Sequence, residues 1–316
     1  MAATYERARE FLYRNARPLD IARFQYHFEN GGRDAALTAL AAYQNEDGGF
    51  GHALEADSWN PNSTPIQTWT ATEILREIGF TDASHPITRG ILRYLASGKD
   101  FQGHLWYNTV KSNNDYPHAP WWRTENDSIS NNDYNPTACL AGFALRFAGR
   151  DGELYRMARR VAKEAFDFYT SKTFVDIHTS SDLLADSHTA ACFARLLEYV
   201  VKSGITDLFD VSVLREKLKR QVKFSITDNT AKWETSYVTT PSFFFNDRDS
   251  VYYSDNKDVA DYECEFICKT CLDDGSWNIP WSWAGAYPEE WAVSKNWWKG
   301  GKAVLNLLYL KGMGKL

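Results

Sequence analysis

Apolar positions in this chain recur with a helical period, in two kinds of segment that alternate. Residues 64–79, TPIQTWTATEILREIG, are apolar on nearly every side. Thr64 suits an N-cap, Pro65 suits the first helical position, and Gln67 completes a capping box. Gly79 can adopt the left-handed conformation that ends a helix. The segment therefore predicts a helix between Thr64 and Gly79.

Three later segments resemble this one: 135–149 (NPTACLAGFALRFAG), 186–204 (DSHTAACFARLLEYVVKSG) and 300–312 (GGKAVLNLLYLKG). Helices that are apolar all round are typical of the interior of a larger assembly. More amphipathic segments alternate with them, at 33–44, 85–97, 156–171, 212–226 and 258–272. The repeating unit is an outer amphipathic helix, a polar loop and a buried inner helix. Five or six such units predict two concentric rings of helices.

The predicted fold is therefore all-α, a closed α/α toroid that occupies 1–316 as one domain. No low-complexity linker divides the chain. Segment 236–245, SYVTTPSFFF, is the one place where the pattern also allows an extended strand.

The stretch 36–51, ALTALAAYQNEDGGFG, resembles the QW-type repeat of the terpenoid cyclase and protein prenyltransferase superfamily (squalene-hopene cyclase-like). The matching positions are Gln44, Asp47, Gly48, Gly49 and Phe50. Weaker copies stand at 266–277 and 91–106. We expect the turn itself to be structural, because its glycines permit positive φ and Phe50 can pack back over the helix end. The resemblance implies the toroid fold, but not one reaction.

Two catalytic signatures of that superfamily are not matched. The Asp-x-Asp-Asp motif of cyclases that protonate an alkene is absent, and the nearest local likeness is ADSHTAA at 185–191. The zinc ligands of prenyltransferases would correspond to Asp261 and Cys264, but the spacing differs and the last inner helix lacks a histidine. We therefore predict no metal, and Mg²⁺ only if the substrate is a diphosphate.

Composition narrows the choice of partner. The net charge of −6 argues against nucleic acid and against anionic membranes. No window approaches the roughly 20 apolar residues of a membrane span, and no secretion signal is apparent, so we expect a cytoplasmic protein. Its five cysteines should be free thiols, with Cys264, Cys268 and Cys271 on one helix face. The oligomeric state stays open.

In an α/α toroid, the loops that lead into the inner helices surround the central cavity. Four such loops combine acids or histidines with aromatic residues. The first supplies His52, Glu55, Asp57 and Trp59; the second Tyr116, His118, Trp121 and Trp122, ending near Asp133 and Asn135; the third Asp182, Asp186 and His188; the last Trp277, Trp281, Trp283, Glu289, Glu290 and Trp291.

We predict that Glu55 or Asp57 is the general acid or base, because the neighbouring Trp59 offers an apolar wall that can separate the pKa values of two carboxyl groups. His52, His118 and His188 are supporting catalytic candidates. The predicted substrate-binding residues are Trp59, Tyr116, Trp121, Trp122, Asp133, Asn135, Trp281, Trp283, Glu289 and Trp291.

The small-molecule substrate is left open between two classes. Aromatic faces stabilise cations, and loops 46–64 and 272–294 contain no Lys or Arg. This favours a non-phosphorylated isoprenoid over a diphosphate. The alternative is a carbohydrate-active hydrolase or lyase, because tryptophans stack on sugars and paired carboxylates cleave glycosides. A third reading is a non-catalytic toroid that binds a peptide or a lipid and does not need these carboxylates. For single residues the alternative is structural: Asp186 as a helix cap, and Glu289 and Glu290 as solvent-facing residues.

Overall fold

The chain folds predominantly into α-helices. A computed structural model describes residues 1–125, 128–129, 134–171 and 183–316, with backbone alone at 128–129 and 183–186. The helices of this part are α1 (Ala2–Asn15), α2 (Pro18–Phe28), α3 (Arg33–Ala41), α4 (Pro65–Glu77), α5 (Pro86–Ala96), α6 (Thr137–Phe147), α7 (Glu153–Ser171), α8 (Leu183–Lys202), α9 (Val211–Ser225), α10 (Lys257–Lys269) and α11 (Pro288–Gly312). The all-α class is confirmed.

Two compact units make up the described chain. One joins Met1–Leu40 to Val222–Leu316, and the other is Ala41–Gln221. We call them the terminal unit and the central unit. The closed toroid over 1–316 stays a prediction. Across the described residues, no helix has the length and apolar character that crossing a membrane requires.

In the central unit, α6 is the buried helix against which its neighbours pack. Every residue from Thr137 to Leu145 is buried, and α6 contacts α8 and α7 most extensively. Gly142 makes the close approach possible, since a β-carbon there would lie 2.9 Å from the ring of Tyr199 on α8. The prediction that this helix is buried is therefore confirmed for Thr137 to Leu145.

The predicted helix ends hold in part. Thr64 caps α4 by accepting a hydrogen bond from the Gln67 N–H, and Gly79 and Gly204 follow α4 and α8 with φ of +63° and +64°. In contrast, α6 starts after Pro136, and Asn135 is not its N-cap. Gly149 does not have positive φ, because the chain leaves α6 in an extended conformation at Ala148.

The terminal unit differs more from the sequence prediction. Residues 300–312 are the second half of α11, whose 25 residues begin at Pro288. Pro288 at the first position, with Glu289 and Glu290 in the first turn, favours an earlier helix start. The glycines do not break α11 because Gly300 lies against Ala16, where a β-carbon would come within 3.1 Å.

Regular β structure is sparse in the described chain. Strands β1 (Phe101–Gln102) and β2 (Leu105–Trp106) form one antiparallel pair, and β3 (Thr109–Val110) and β4 (Ser128–Ile129) form another. Segment 236–245 is not a strand; it contains a short 3-10 helix at Pro241–Phe243, where proline lacks the N–H that a strand needs.

The cysteines are free, as predicted. Cys264 is buried and Cys268 half-buried on α10, but Cys271 lies beyond the end of that helix. The predicted face of three cysteines is therefore a face of two.

The turn after α3 docks tightly against α5. Gly48 has φ of +94°, and a β-carbon there would lie 2.1 Å from the Gly90 carbonyl oxygen. The Gln44 side-chain amide donates to the Gly48 and Ile87 carbonyls, at 2.9 and 3.0 Å. Phe50 is fully buried, but its backbone pairs with Gln44 and Thr64. The turn is structural, as predicted, and it joins the end of α3 to the start of α4.

A second turn, in the terminal unit, has the same pattern of hydrogen bonds. Gly275 has φ of +87°, and a β-carbon there would lie 2.0 Å from the Arg7 carbonyl oxygen. Its N–H donates to the carbonyl three residues earlier, as that of Gly48 does. Asp274 accepts from the N–H two residues later, as Asp47 does. The two segments that most resemble a QW-type repeat therefore form equivalent turns.

We predict that Gly48→Ala destabilises the protein far more than Gly98→Ala. Both glycines have positive φ, but a β-carbon at Gly98 meets nothing within 4 Å. Backbone strain alone should cost Gly98→Ala about 1 kcal/mol, whereas the added clash should take Gly48→Ala beyond about 3 kcal/mol. Urea denaturation measures both. Equal losses would show that the contact with Gly90 is not tight.

We also predict that Asp47 makes stability depend on pH. Burial pushes the pKa of Asp47 upward, but hydrogen bonds from Ser63, Lys99 and the Gly49 N–H outweigh it and hold the pKa below its ordinary value. The stabilisation is present above the unfolded pKa of about 3.9 and is lost as pH falls through the folded pKa. Asp47→Asn should therefore lose less stability on acidification. Parallel pH profiles of urea midpoints for the two proteins would contradict this.

Candidate functional site

The loop from Gly51 to Asn60 is fastened to the start of α4. Gln67 is fully buried; its side-chain oxygen accepts from the Leu54 N–H at 2.9 Å, and its amide donates to the Asn60 carbonyl at 3.0 Å. The His52 N–H donates to the same Asn60 carbonyl at 2.9 Å and closes the loop. One glutamine of α4 thus positions the loop that carries the predicted acids.

Two consecutive non-glycine residues of this loop have a left-handed backbone conformation. His52 has φ of +60° and Ala53 has φ of +59°. Such conformations cost on the order of 1–3 kcal/mol each, and they cluster at functional sites. The loop is therefore held in a conformation that the chain would not adopt by local preference, which supports a functional role for it.

Glu55 is a buried carboxylate that this loop presents. Its side chain belongs to a residue only 8 % exposed. Oε2 accepts from the Asp57 N–H at 2.9 Å and from the Trp122 indole N–H at 3.1 Å. Glu55 thus accepts hydrogen bonds from its own loop and from the segment of Trp122, and it lies next to Asp57, which is 3 % exposed.

The structure brings the first and second predicted loops together. The Trp59 N–H donates to the Pro117 carbonyl at 2.9 Å, and the Ala119 N–H donates to the Asp57 carbonyl at 2.8 Å. Ser58 and His118 form an antiparallel bridge between them. The Trp122 indole then donates to Glu55 from the second loop, so this loop supplies an aromatic residue at the carboxylate.

Asn113 is a positioning residue that sequence reasoning missed. It is 4 % exposed, and its side-chain oxygen accepts from the Asn60 amide at 2.9 Å. Its own amide donates to the Trp122 carbonyl at 3.2 Å. Asn113 therefore ties the loop of Glu55 to the residue that binds Glu55. The available signal was the polar run KSNND at 111–115, which folds as a 3-10 helix.

The two loop histidines have different surroundings. His52 is exposed, and its Nε2 lies 2.9 Å from the Asn45 side-chain oxygen, in the structural turn. His118 is 4 % exposed, and its Nδ1 lies 2.6 Å from the Tyr116 carbonyl oxygen. A carbonyl can only accept, so Nδ1 of His118 carries a proton. His118 is thus buried where the two loops pair, whereas His52 is exposed.

Other predicted residues of the central unit are placed as follows. Trp59, Tyr116 and Trp122 are half-buried, and Trp121 is 46 % exposed. Asn135 accepts from the Cys192 thiol on α8 at 3.5 Å, and His188 lies half-buried on α8 itself. Asp133, Asp182 and the side chain of Asp186 lie outside the described residues.

The last predicted loop belongs to the terminal unit. Trp283 is fully buried, and its ring lies 5.6 Å from that of Trp291. Trp281 contacts Trp298, at 5.2 Å between ring centroids. Glu289 and Trp291 are in the first turn of α11, so they are helical rather than loop residues. The meeting of four loops in one cavity stays a prediction.

A second group that sequence reasoning missed joins α4 to α8. Arg195 Nε lies 2.7 Å from Glu73 Oε2, and Arg195 Nη1 lies 3.3 Å from Glu198 Oε2. Burial raises the pKa of Glu198, but Arg76, Arg195 and Lys202 outweigh it and lower that pKa. The sequence contained a sign of this group, because charged residues occur within the two otherwise apolar segments 64–79 and 186–204.

No protein-family model, no curated protein and no solved structure matches this chain. Within the described ranges, no group of three or more His, Cys, Asp and Glu side chains is arranged to hold a metal ion.

We predict that Trp122→Phe destabilises the protein through Glu55, whereas Trp121→Phe does not. Trp122→Phe removes an indole donor to a buried carboxylate, which should cost about 1.5–3 kcal/mol. Trp121 is exposed, and its replacement should cost less than about 0.5 kcal/mol. Urea denaturation in wild-type and Glu55→Gln backgrounds separates the hydrogen bond from lost packing. A loss that is the same in both backgrounds would show that the bond to Glu55 contributes nothing.

Proposed function

We propose that this chain is an acid–base enzyme with a terpenoid cyclase/prenyltransferase-like α/α toroid, acting on a non-phosphorylated isoprenoid. The observation that carries the proposal is Glu55, a buried carboxylate held by N–H donors from two loops. A buried carboxylate whose position is fixed by such donors is suited to accept a proton from a bound substrate.

The fold part of the proposal is supported by the equivalent turns at 44–50 and 271–277. Each follows a helix, each places a positive-φ glycine against a helix carbonyl, and each ends in a buried aromatic residue, Phe50 or Trp277. A repeated helix-and-turn unit is what a toroid of helical hairpins requires. The buried, apolar α6 supports it further, because inner helices must bury every face.

The chemistry assigns different roles to the two acids. Asp57 would donate a proton to one carbon of an isoprenoid double bond, forming a carbocation at the other carbon. Glu55 would then accept a proton from a carbon next to the cation, whose C–H electrons form the new double bond. Glu55, which accepts from two N–H donors, is assigned the accepting role, and the neighbouring buried carboxyl group of Asp57 is assigned the donating role. Trp59 and Trp122 supply aromatic faces that stabilise a cation.

The substrate class rests on charge. The loop 46–64 contains no Lys or Arg, and the two donors described for Glu55 are neutral groups. A diphosphate wants cationic or metal partners, and an isoprenoid alcohol or hydrocarbon does not. Glu55 and Asp57 also come from one turn, closed by the Ser58 N–H on the Glu55 carbonyl. Proton transfer to a nearby pair of carbons suits that arrangement better than attack from two sides of a glycosidic bond.

The first test is ligand binding. We expect isoprenoid alcohols to raise the melting temperature of the protein, since a ligand at 100 times its Kd adds about 2.7 kcal/mol. Isoprenoid diphosphates, with and without Mg²⁺, and oligosaccharides should not. A shift with oligosaccharides alone would assign the carbohydrate class, and silence across the panel would leave the scaffold reading.

The second test is proton transfer. Incubation of an isoprenoid alcohol with the protein in D₂O should place deuterium on carbon, as detected by mass spectrometry. Glu55→Gln and Asp57→Asn should each lower the rate by about 10²–10⁴-fold. Glu125→Gln is the matched control, because Glu125 lies on the same loop as Trp122 but is exposed and paired with Arg123. Unchanged exchange in Glu55→Gln would overturn the assignment of Glu55.

A further inference from the structure

Helix α11 of the terminal unit carries a lysine whose charge no carboxylate balances. Lys302 is half-buried, and its Nζ donates to the Asn278 carbonyl at 3.0 Å. In the described part of the chain this carbonyl is its hydrogen-bond partner, and Lys302 forms no ion pair. Lys299, nearly one turn earlier on α11, is also half-buried, but its Nζ lies 3.4 Å from Asp274 Oδ2. Two neighbouring lysines of one helix therefore differ in whether they are ion-paired.

The segment before α11 runs antiparallel along the helix face that carries Lys302. Asn278 of this segment contacts Lys302. Trp281, three residues later, contacts Trp298, which is four residues earlier on α11, at 5.2 Å between ring centroids. The Tyr237 ring lies 5.2 Å from that of Trp281 on its other contact. Because residues four apart are neighbours on a helix surface, Lys302 lies beside a group of three aromatic rings.

These aromatic rings keep part of their surface accessible. Tyr237 is 38 % exposed, and Trp281 and Trp298 are half-buried. A small apolar body can therefore pack on an open surface next to the amine, and no enclosed cavity is needed. Aromatic faces are suited to hold such a body.

The surroundings of Lys302 shift it toward the neutral amine. Burial lowers the pKa of Lys302, and the buried carboxyl group of Glu263 opposes this shift without cancelling it. A neutral amine is the nucleophilic form, and desolvated lysines are the ones that proteins use to attack carbonyl groups. The hydrogen bond to Asn278 orients the amine, and it uses an N–H rather than the lone pair. The lone pair of the neutral amine therefore stays available.

We propose that Lys302 is the nucleophile of a second site, where it forms an imine with an aldehyde that has an apolar or aromatic body. The amine lone pair attacks the carbonyl carbon, so that a C–N bond forms and the carbonyl electron pair moves onto the oxygen. The two amine protons pass to that oxygen, which leaves as water while the C=N double bond forms. Trp281 and Trp298 hold the body of the aldehyde. This step does not use Glu55, so it is independent of the proposed isoprenoid reaction.

Reductive trapping with benzaldehyde tests the proposal. Cyanoborohydride reduces the imine to a stable benzylamine, and tandem mass spectrometry of chymotryptic peptides identifies the labelled lysines. With limiting benzaldehyde we expect Lys302 to carry at least about tenfold more label than Lys299. Acetaldehyde lacks the apolar body and should show a smaller preference for Lys302. Equal labelling of the two lysines, an equal preference with acetaldehyde, or no label on Lys302 would each overturn the proposal.

Matched variants separate a nucleophile from a structural lysine. Lys302→Arg keeps the charge and a donor for Asn278 but cannot form an imine, so it should retain the melting temperature and lose the label. Lys299→Met should leave the label on Lys302 unchanged. Trp281→Leu should lower labelling by benzaldehyde and leave labelling by acetaldehyde unchanged. A total benzyl label that persists in Lys302→Arg would show that the reaction takes place elsewhere, and the wild-type comparison of Lys302 with Lys299 decides the proposal even if a variant fails to fold.

Discussion

The contact between the turn after α3 and helix α5 is the constraint on which the candidate site depends. Gly48 and Gly90 approach so closely that a side chain fits at neither position, and the Gln44 amide fills the remaining space. The hydrogen bonds of this contact pair the Gln44 side-chain amide with the Gly48 and Ile87 carbonyl groups, although the turn has no regular secondary structure. It fixes the position of residues 44–50 against α5 and therefore where the next loop begins.

A series of hydrogen bonds between buried side-chain amides connects the loop after this turn to the carboxylate of Glu55. Gln67 clamps the loop of Glu55, Asn60 links this loop to Asn113, and Asn113 holds the backbone of Trp122. The indole of Trp122 then donates to Glu55. Buried amide networks of this kind specify one arrangement, because an unmet polar group in the interior costs on the order of 1–3 kcal/mol. The strain at His52 and Ala53 can persist only within such a network.

Local signals predicted much of this fold. The cap at Thr64 and the positive φ at Gly79 and Gly204 follow from residue type and spacing alone. The start of α11 was not predicted, because residues 277–291 have the composition of an aromatic loop and the last apolar segment was taken to begin at the glycines 300 and 301. Within α11, Gly300 packs closely against Ala16, which is far away in sequence. Glu55 and Asp57 stood out as acids beside tryptophan. The hydrogen bond from Trp122 to Glu55 and the one from Asn60 to Asn113 each join residues more than 50 positions apart. A local sequence pattern cannot predict such contacts.

Buried carboxylates on this chain are held in different ways, and the difference bears on function. Asp20 is fully buried in the terminal unit, 2.8 Å from Arg23 and 3.1 Å from Arg17. Both arginines belong to the same stretch of chain as Asp20, so these ion pairs serve the packing of α2. Glu55 is nearly as buried, but an amide and an indole donate to it. Those neutral donors stabilise its charge by less than a full ion pair would. The donors described for Glu55 are thus neutral groups, whereas Asp20 lies against two guanidinium groups. Burial alone does not distinguish the two acids; the kind of donor described beside each one does.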